Sequence, residues 1–129
     1  PEVSRGLLAA AGGLIRLPRA LPRNVAIEMA ITGAPMPAER AHALGLINRL
    51  VDEPDGLLPA ALTLAQAVVR NAPLSVRESL AIVKQVHDHT EAEMQSAVWQ
   101  ARDRLVQAED HREGPRAFIE KRAPRWQGR

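Results

Sequence analysis

Apolar residues recur every three or four positions along most of this chain, the spacing that lines one face of an α-helix. Leu58, Leu62, Ala65 and Val69 show this repeat most clearly. Prolines and glycines interrupt the repeat and mark where helices begin and end. The pattern predicts seven helices, over about 11–19, 23–31, 37–44, 58–70, 75–86, 90–105 and 115–121.

Local signals refine the starts of the later helices. Ser75 with Glu78, and Thr90 with Glu93, have the spacing of a capping box, in which two side chains bond free backbone N–H groups at a helix start. Gly114-Pro115 is expected to break the chain ahead of the last helix, because neither residue favours a helix interior.

One segment departs from the helical repeat. Residues 46–51, Leu-Ile-Asn-Arg-Leu-Val, change to a period near two and form the only strong strand candidate. A single strand cannot make a sheet, so we expect the strands that pair with it to lie outside these residues. The predicted fold class is mainly α, with one or two short strands.

The composition supports helices and exposed apolar surface. Hydrophobic residues make up 46% of the 129 residues, yet the chain has one Phe, two Trp and no Tyr. A core of small aliphatic side chains favours helices over a β-sandwich or barrel. A short chain of this kind leaves much of its surface uncovered, so we expect a partner to bind there.

The chain contains no cysteine, which excludes disulfides, thiolate nucleophiles and cysteine-based zinc sites. We expect a cytoplasmic protein, because the cytosol is the default compartment for a chain without cysteine. No membrane span is expected, because no apolar run approaches the roughly 20 residues that cross a bilayer. His87 and His89 are two positions apart and would point in different directions on a helix. We therefore predict no metal site.

Positive charge is concentrated at the C-terminal end. The formal net charge is +2, but residues 111–129 hold six Lys and Arg against two Glu. This segment could attract phosphate groups. It lacks the interleaved aromatic residues and the fold signatures of nucleic-acid binding, so we do not expect nucleic acid as a partner.

Several separated motifs, in order, resemble one family over the whole chain. The motifs are Pro1-Glu2, Ala10–Gly13, Glu28–Gly33, Gly45–Asn48 and Arg112–Arg122. Together they closely resemble the later half of the enoyl-CoA hydratase/isomerase (crotonase) family. The resemblance implies the C-terminal half of an α/β spiral fold, followed by a helical trimerisation region.

The resemblance also implies a domain division and an incomplete enzyme. Residues 1–55 would be the end of the spiral core, and residues 56–129 the helical oligomerisation region of a homotrimer or hexamer. Members of the family are about twice as long, and their first half supplies most of the sheet and of the oxyanion hole. We therefore expect a fragment of a longer protein that is inactive alone.

Glu2 is the candidate catalytic residue. In hydratases of this family two glutamates hold the water that adds to a 2-enoyl-CoA, and the glutamate of the Pro-Glu motif matches Glu2. Hydration needs one group that takes a proton and one that gives it. An apolar pocket would favour the neutral carboxyl and so proton donation. The alternative is a solvated glutamate at a frayed chain end.

Ala10 is the candidate water-orienting residue, through its backbone N–H. The segment Ala10–Gly13 matches a family segment that is richer in glycine and has proline where this chain has Ala9. A backbone donor survives the replacement of Gly by Ala unless the conformation needs a positive φ. Gly12 and Gly13 could instead serve close helix packing.

Phe118 and Lys121 are the candidate coenzyme A-binding residues. They are three positions apart and would share one face of the last predicted helix. In the family, an aromatic residue and a lysine at the matching positions approach the adenine and phosphates of coenzyme A. Alternatively, Phe118 anchors the helix and Lys121 is solvated.

The most specific functional hypothesis is a 2-enoyl-CoA hydratase whose substrate is an acyl-CoA thioester. Coenzyme A would enter as part of the substrate, and no separate cofactor is expected. An enoyl-CoA isomerase or another enolate-forming member is the alternative chemistry. A helical assembly module without catalysis is the alternative of a different kind.

Overall fold

Seven α-helices and two short 3-10 helices form the regular structure of the chain in a computed structural model that describes all 129 residues. The 3-10 helices span Glu2–Arg5 and Pro54–Gly56. The α-helices are α1 Gly13–Ala20, α2 Arg23–Thr32, α3 Ala38–Ala43, α4 Leu57–Val69, α5 Pro73–Val83, α6 Glu91–Val106 and α7 Glu109–Ile119.

The mainly helical prediction is confirmed, but the predicted strand at 46–51 is wrong. These residues form turns and irregular extended backbone, and the chain contains no strand. The physical reason is the need for a partner, because an extended segment becomes part of a sheet only by hydrogen bonding to a neighbour. None of the helical segments of this chain can provide that neighbour.

The chain folds as two compact units, Pro1–Ala60 and Ala61–Arg129, and the boundary lies within α4. The assignment of 1–55 to a spiral core and 56–129 to an oligomerisation region concerns the role of these parts and stays a prediction. None of the helices is long and apolar enough to cross a membrane.

The first unit has an aliphatic core between α1 and α2. Leu21, Val25 and Ala26 are buried there. The side chains packed around them are Leu17, Met29, Met36, Leu44 and Leu46.

Gly45 ends α3 with a left-handed backbone, φ 78°. Its N–H donates to the His42 carbonyl, and the Leu46 N–H donates to the Ala41 carbonyl.

Helix α4 buries almost none of its apolar surface within the chain. Every residue from 61 to 70 is exposed. Leu62 is 52% and Val69 is 79% exposed, although both belong to the apolar repeat that predicted this helix. The expectation that this repeat needs a partner is consistent with the exposed surface, and the partner itself stays a prediction.

One of the two predicted capping boxes forms. Thr90 and Glu93 make the reciprocal hydrogen bonds of a capping box at the start of α6. The box at Ser75 is wrong, because α5 begins two residues earlier, at Pro73. Glu78 instead accepts two hydrogen bonds from the Arg104 guanidinium, at 2.7 and 2.9 Å, which tie α5 to α6.

The predicted break at Gly114-Pro115 is also wrong, because α7 runs through Pro115 from Glu109 to Ile119. The chain turns earlier, between the end of α6 and the start of α7.

The seven residues after Arg122, Ala123–Arg129, form a C-terminal strap that folds back along α7. Trp126 Nε1 donates to the Arg70 carbonyl at 2.8 Å, and its ring lies beside Gly114. These contacts support a helix that its proline weakens.

A buried carboxylate holds the strap. Asp110 is only 5% exposed and accepts hydrogen bonds from the backbone N–H of Gln127 at 2.7 Å and of Gly128 at 2.9 Å. Hydrogen bonds to a charged acceptor are stronger than neutral ones. Asp110 therefore connects the start of α7 to the last residues of the chain.

Candidate functional site

Glu2 lies in the first 3-10 helix, which the left-handed residue Gly6 closes. Leu7 N–H donates to the Glu2 carbonyl at 2.9 Å, and Gly6 N–H donates to the Val3 carbonyl at 3.2 Å. The Glu2 side chain is 44% exposed, and its Oε2 lies 3.2 Å from the Pro1 amino nitrogen. The residue therefore lies in a turn held by backbone hydrogen bonds, with nearly half of its side chain exposed.

A cavity of about 640 Å³ opens beside Glu2. It is lined by the 3-10 helix, the loop after it, α1 and the end of α2, with Leu8, Leu14, Leu17 and Met29 among its walls. Glu2 has the only ionisable side chain in the lining. A pocket of several hundred Å³ with apolar walls and few polar groups is typical of small-molecule sites.

The pKa of the Glu2 carboxyl is lowered from its ordinary value. The main cause is the hydrogen bond from its own backbone N–H, followed by the hydrogen bond and positive charge of the Pro1 ammonium. In this chain these contacts outweigh the opposing effect of burial, which alone would favour the neutral form. The catalytic role of Glu2 stays a prediction.

Gly33 allows the end of α2 to approach Pro1 and Val3, the two neighbours of Glu2, closely. Its φ is 66°, and a Cβ atom at this position would lie 3.2 Å from Val3 Cγ2 and 3.3 Å from Pro1 Cα. This contact was not predicted from the sequence. The signal available in the sequence was a glycine directly after the last helical residue, Thr32.

Ala10 lies in the loop between Glu2 and α1. Its backbone N–H donates to the Leu8 carbonyl at 2.7 Å, so this donor is engaged within the chain. The neighbouring residue Ala9 lines the cavity, and Ala10 does not. The water-orienting role of Ala10 stays a prediction, and it requires the Leu8 bond to open.

The same loop is fixed by Gly12 and Arg16. Gly12 is buried with φ 98°, and the Arg16 side chain lies across it, where a Cβ atom would be only 2.4 Å from Nη1. Arg16 also donates to the Ala11 carbonyl at 2.7 Å. The positive φ and the position of the Arg16 side chain therefore both favour glycine at position 12.

Phe118 and Lys121 lie in the second unit, at the end of α7. Phe118 is 85% exposed, which leaves its ring free to contact a ligand or a partner. The prediction that the two share a helix face is wrong, because α7 ends at Ile119 and Lys121 has a left-handed backbone with φ 52°. Their role in binding coenzyme A stays a prediction.

The end of α7 has the hydrogen bonds of a glycine-type helix stop, although its left-handed residue is a lysine. Lys121 N–H donates to the Phe118 carbonyl and Arg122 N–H to the Ala117 carbonyl. Lys121 is the only residue other than glycine with a positive φ. Such strain is often found at functional positions.

Charged side chains hold the residues around Lys121. Arg122 donates to both carboxylate oxygens of Glu113, at 2.6 and 3.0 Å, and to Glu120 at 2.6 Å. The Arg122 guanidinium and the Arg125 backbone N–H lower the pKa of Glu113 to about 2. Sequence analysis missed this network, since nothing in the local pattern pairs Glu113 with a residue nine positions later.

The structure shows no group of three or more His, Asp or Glu side chains that could hold a metal ion. The polar groups described above have two locations. In the first unit the Glu2 carboxylate lies beside an apolar cavity, and in the second unit ion pairs hold α7. The first unit can offer an apolar ligand a reacting carboxylate. The second can offer an aromatic ring and an ammonium group.

Comparison with known proteins gives a consistent result. The enoyl-CoA hydratase/isomerase family model matches residues 1–129. The carnitinyl-CoA dehydratase of Salmonella typhi is 38% identical over the whole chain, which covers 51% of that relative. The solved enoyl-CoA hydratase from Mycobacterium tuberculosis is 42% identical with a TM-score of 0.95, and the one from Mycobacterium marinum is 41% identical with a TM-score of 0.95.

Both structural matches cover the whole of this chain. They cover 51% of the Mycobacterium tuberculosis chain and 52% of the Mycobacterium marinum chain. The chain thus spans about half the length of the curated relatives that it matches. The motifs that suggested the family, its helical fold and the agreement of all three comparisons lead to one conclusion: the chain belongs to the enoyl-CoA hydratase/isomerase family.

Proposed function

We propose that this chain is the C-terminal half of a 2-enoyl-CoA hydratase, in which Glu2 exchanges protons with the water that adds to the double bond. The observation that carries the proposal is the Glu2 carboxylate at an otherwise apolar cavity of about 640 Å³. The family supports the substrate class, an acyl-CoA thioester. The chain's share of its relatives, about half, supports its being part of a longer enzyme.

Glu2 acts as the base in this proposal. The Glu2 carboxylate can take a proton from water as the oxygen attacks the β-carbon. The proton that reaches the α-carbon comes from a second acidic group, which the other half of the enzyme would supply. Backbone donors in that half would stabilise the negative thioester oxygen.

The environment of Glu2 changes when a residue precedes Pro1. The proline nitrogen is then a tertiary amide, which has neither a positive charge nor a proton to donate. The Pro1 ammonium is one cause of the lowered pKa of Glu2. Its loss therefore raises that pKa towards the range in which a carboxyl can both accept and release a proton.

Phe118 and Lys121 bind coenzyme A in the same proposal. Phe118 offers an exposed ring on which adenine can stack, and Lys121 offers a positive charge to a phosphate. Coenzyme A is part of the substrate, and the reaction uses no separate cofactor. The assembly we propose is a cytoplasmic homotrimer or hexamer, supported by the exposed apolar surface of α4.

The test is the Glu2→Gln variant of the full-length enzyme, assayed with a short 2-enoyl-CoA. The variant keeps the size and hydrogen bonding of the side chain but removes its proton exchange. We expect kcat to fall by roughly 10²-fold or more with a smaller change in KM. Glu39→Gln is the matched control, because Glu39 lies at the start of α3 and does not line the cavity.

Three other results would contradict parts of the proposal. A normal kcat in a folded Glu2→Gln enzyme would remove the catalytic assignment. Double-bond isomerisation that depends on Glu2, without hydration, would assign the enzyme to the isomerase chemistry of the family. Turnover by the purified 129-residue chain alone would show that the missing half is not needed.

A further inference from the structure

A second cavity adjoins the one beside Glu2. It has a volume of about 260 Å³ and lies between α1 and α2, with Ile27 among its lining residues. Four residues line both cavities: Gly13, Leu14, Leu17 and Ala30. Leu14 and Leu17 have the two large side chains in this shared set, so these side chains account for most of the wall that the two cavities share.

From this geometry we infer that Leu14 and Leu17 are a wall that limits the length of the acyl chain reacting at Glu2. The inference rests on the proposed function, which places an acyl thioester in the larger cavity. An acyl chain that passes Glu2 extends along apolar side chains until it meets the two leucines. The smaller cavity lies on the other side of these two side chains.

The lining also defines the chemistry of that acyl chain. Leu8, Leu14, Leu17 and Met29 supply aliphatic surface, and no aromatic residue lines either cavity. An acyl tail that carries a quaternary ammonium cation requires aromatic faces or further carboxylates. Glu2 is the only carboxylate that this chain contributes to the lining, and the proposed function uses it for the reaction. The side chains that this chain contributes therefore fit an uncharged aliphatic acyl chain.

Burial of hydrocarbon explains why such a wall controls specificity. Each additional methylene that finds apolar surface strengthens binding, and each one that meets a side chain is rejected. In an apolar pocket one methylene changes kcat/KM by roughly tenfold or more. Removing the wall should therefore have a measurable effect on which chain length is preferred.

The experiment measures kcat/KM of the full-length enzyme on straight-chain 2-enoyl-CoA substrates of increasing length. Leu14→Ala joins the two cavities, and we expect the ratio of long-chain to short-chain kcat/KM to rise roughly tenfold. Ile15→Ala is the matched control. Ile15 is the next residue on α1, is 61% exposed and lines neither cavity, so the ratio should not change.

Two further variants keep the test decisive. Leu14→Ala with Ile27→Phe refills the smaller cavity, and the ratio should return towards that of the wild type. Leu14→Phe thickens the wall without leaving a cavity, and it should shift the preference to shorter chains even if Leu14→Ala fails to fold.

The outcomes separate this inference from the proposed function. A wild-type enzyme that hydrates no 2-enoyl-CoA of any length would refute the proposed function, and this inference with it. An active enzyme whose ratio is the same in wild type, Leu14→Ala and Leu14→Phe would overturn only the wall. That result would mean that the cavity is covered by another part of the longer protein.

Discussion

The two units of this chain are stabilised by different chemistry. In the first unit, buried Leu21, Val25 and Ala26 form an aliphatic core, and the glycine turn at Gly33 brings α2 against the segment that carries Glu2. In the second unit the buried apolar residues are mostly alanines. The Glu78–Arg104 ion pair connects α5 to α6, and backbone hydrogen bonds to Asp110 connect the C-terminal strap to α7.

This difference follows from what each unit must position. Small alanines bury little apolar area and therefore stabilise a fold less than leucines do. The position of α7 thus depends more on hydrogen bonds and ion pairs of charged groups. Glu2, in contrast, has the only ionisable side chain among the residues that line its cavity. The comparison predicts that single charged residues dominate the stability of the second unit, while backbone shape dominates the activity of the first.

The largest effect should come from the buried carboxylate of the second unit. Asp110→Ala removes both acceptors of the Gln127 and Gly128 N–H groups, and we expect the free energy of unfolding to fall by about 3 kcal/mol. Chemical denaturation followed by circular dichroism measures it. Glu109→Ala is the control: this exposed neighbour pairs with Arg129 and should lose less than about 1 kcal/mol. Equal losses in the two variants would contradict a special role for Asp110.

An intermediate effect should come from backbone shape in the first unit. Gly33→Ala forces a left-handed residue and a contact with Val3, so we expect a loss of about 1–2 kcal/mol and a fall in kcat of roughly tenfold as Glu2 is displaced. Steady-state kinetics and thermal unfolding measure both. Gly45→Ala has the same strain in open space and should lose stability alone. Loss of kcat in both variants would remove the link from Gly33 to Glu2.

The smallest effect should come from the strained lysine. Lys121→Gly relieves the left-handed backbone, and we expect the free energy of unfolding to rise by about 1 kcal/mol while KM for the acyl-CoA increases and kcat changes little. Lys121→Ala removes the same charge without relieving the strain, so only KM should change. An unchanged KM in both variants would show that the lysine is not a coenzyme A ligand.

Local patterns in the sequence identified the helices well and failed wherever a distant residue decided the outcome. The Thr90 capping box depends on residues three apart, and it formed as predicted. The Ser75 box has the same spacing, but Glu78 pairs with Arg104, twenty-six residues later. Spacing alone cannot reveal such competition, because the stronger partner comes close only after α5 and α6 pack.

The candidate site shows the same division. Several ordered motifs identified the family, because short motifs can be read from the sequence without the structure. The Pro-Glu motif pointed to Glu2, whose catalytic role stays a prediction. The direction of the pKa shift of Glu2 could not be predicted, since it depends on the Pro1 nitrogen and on the backbone of the 3-10 helix. The left-handed backbone of Lys121 was equally hidden, because lysine is not a residue that signals a helix stop.

The sequence by itself determined the helical content, the order of the elements and the family. These depend on hydrophobic repeats, helix-ending residues and motifs within short stretches of chain. Only the tertiary structure decided that residues 46–51 form no strand, that α7 passes through Pro115, and that Leu14 and Leu17 separate two cavities. These features depend on which segments meet in space, where a hydrogen bond or a packed side chain outweighs the preference of any single residue.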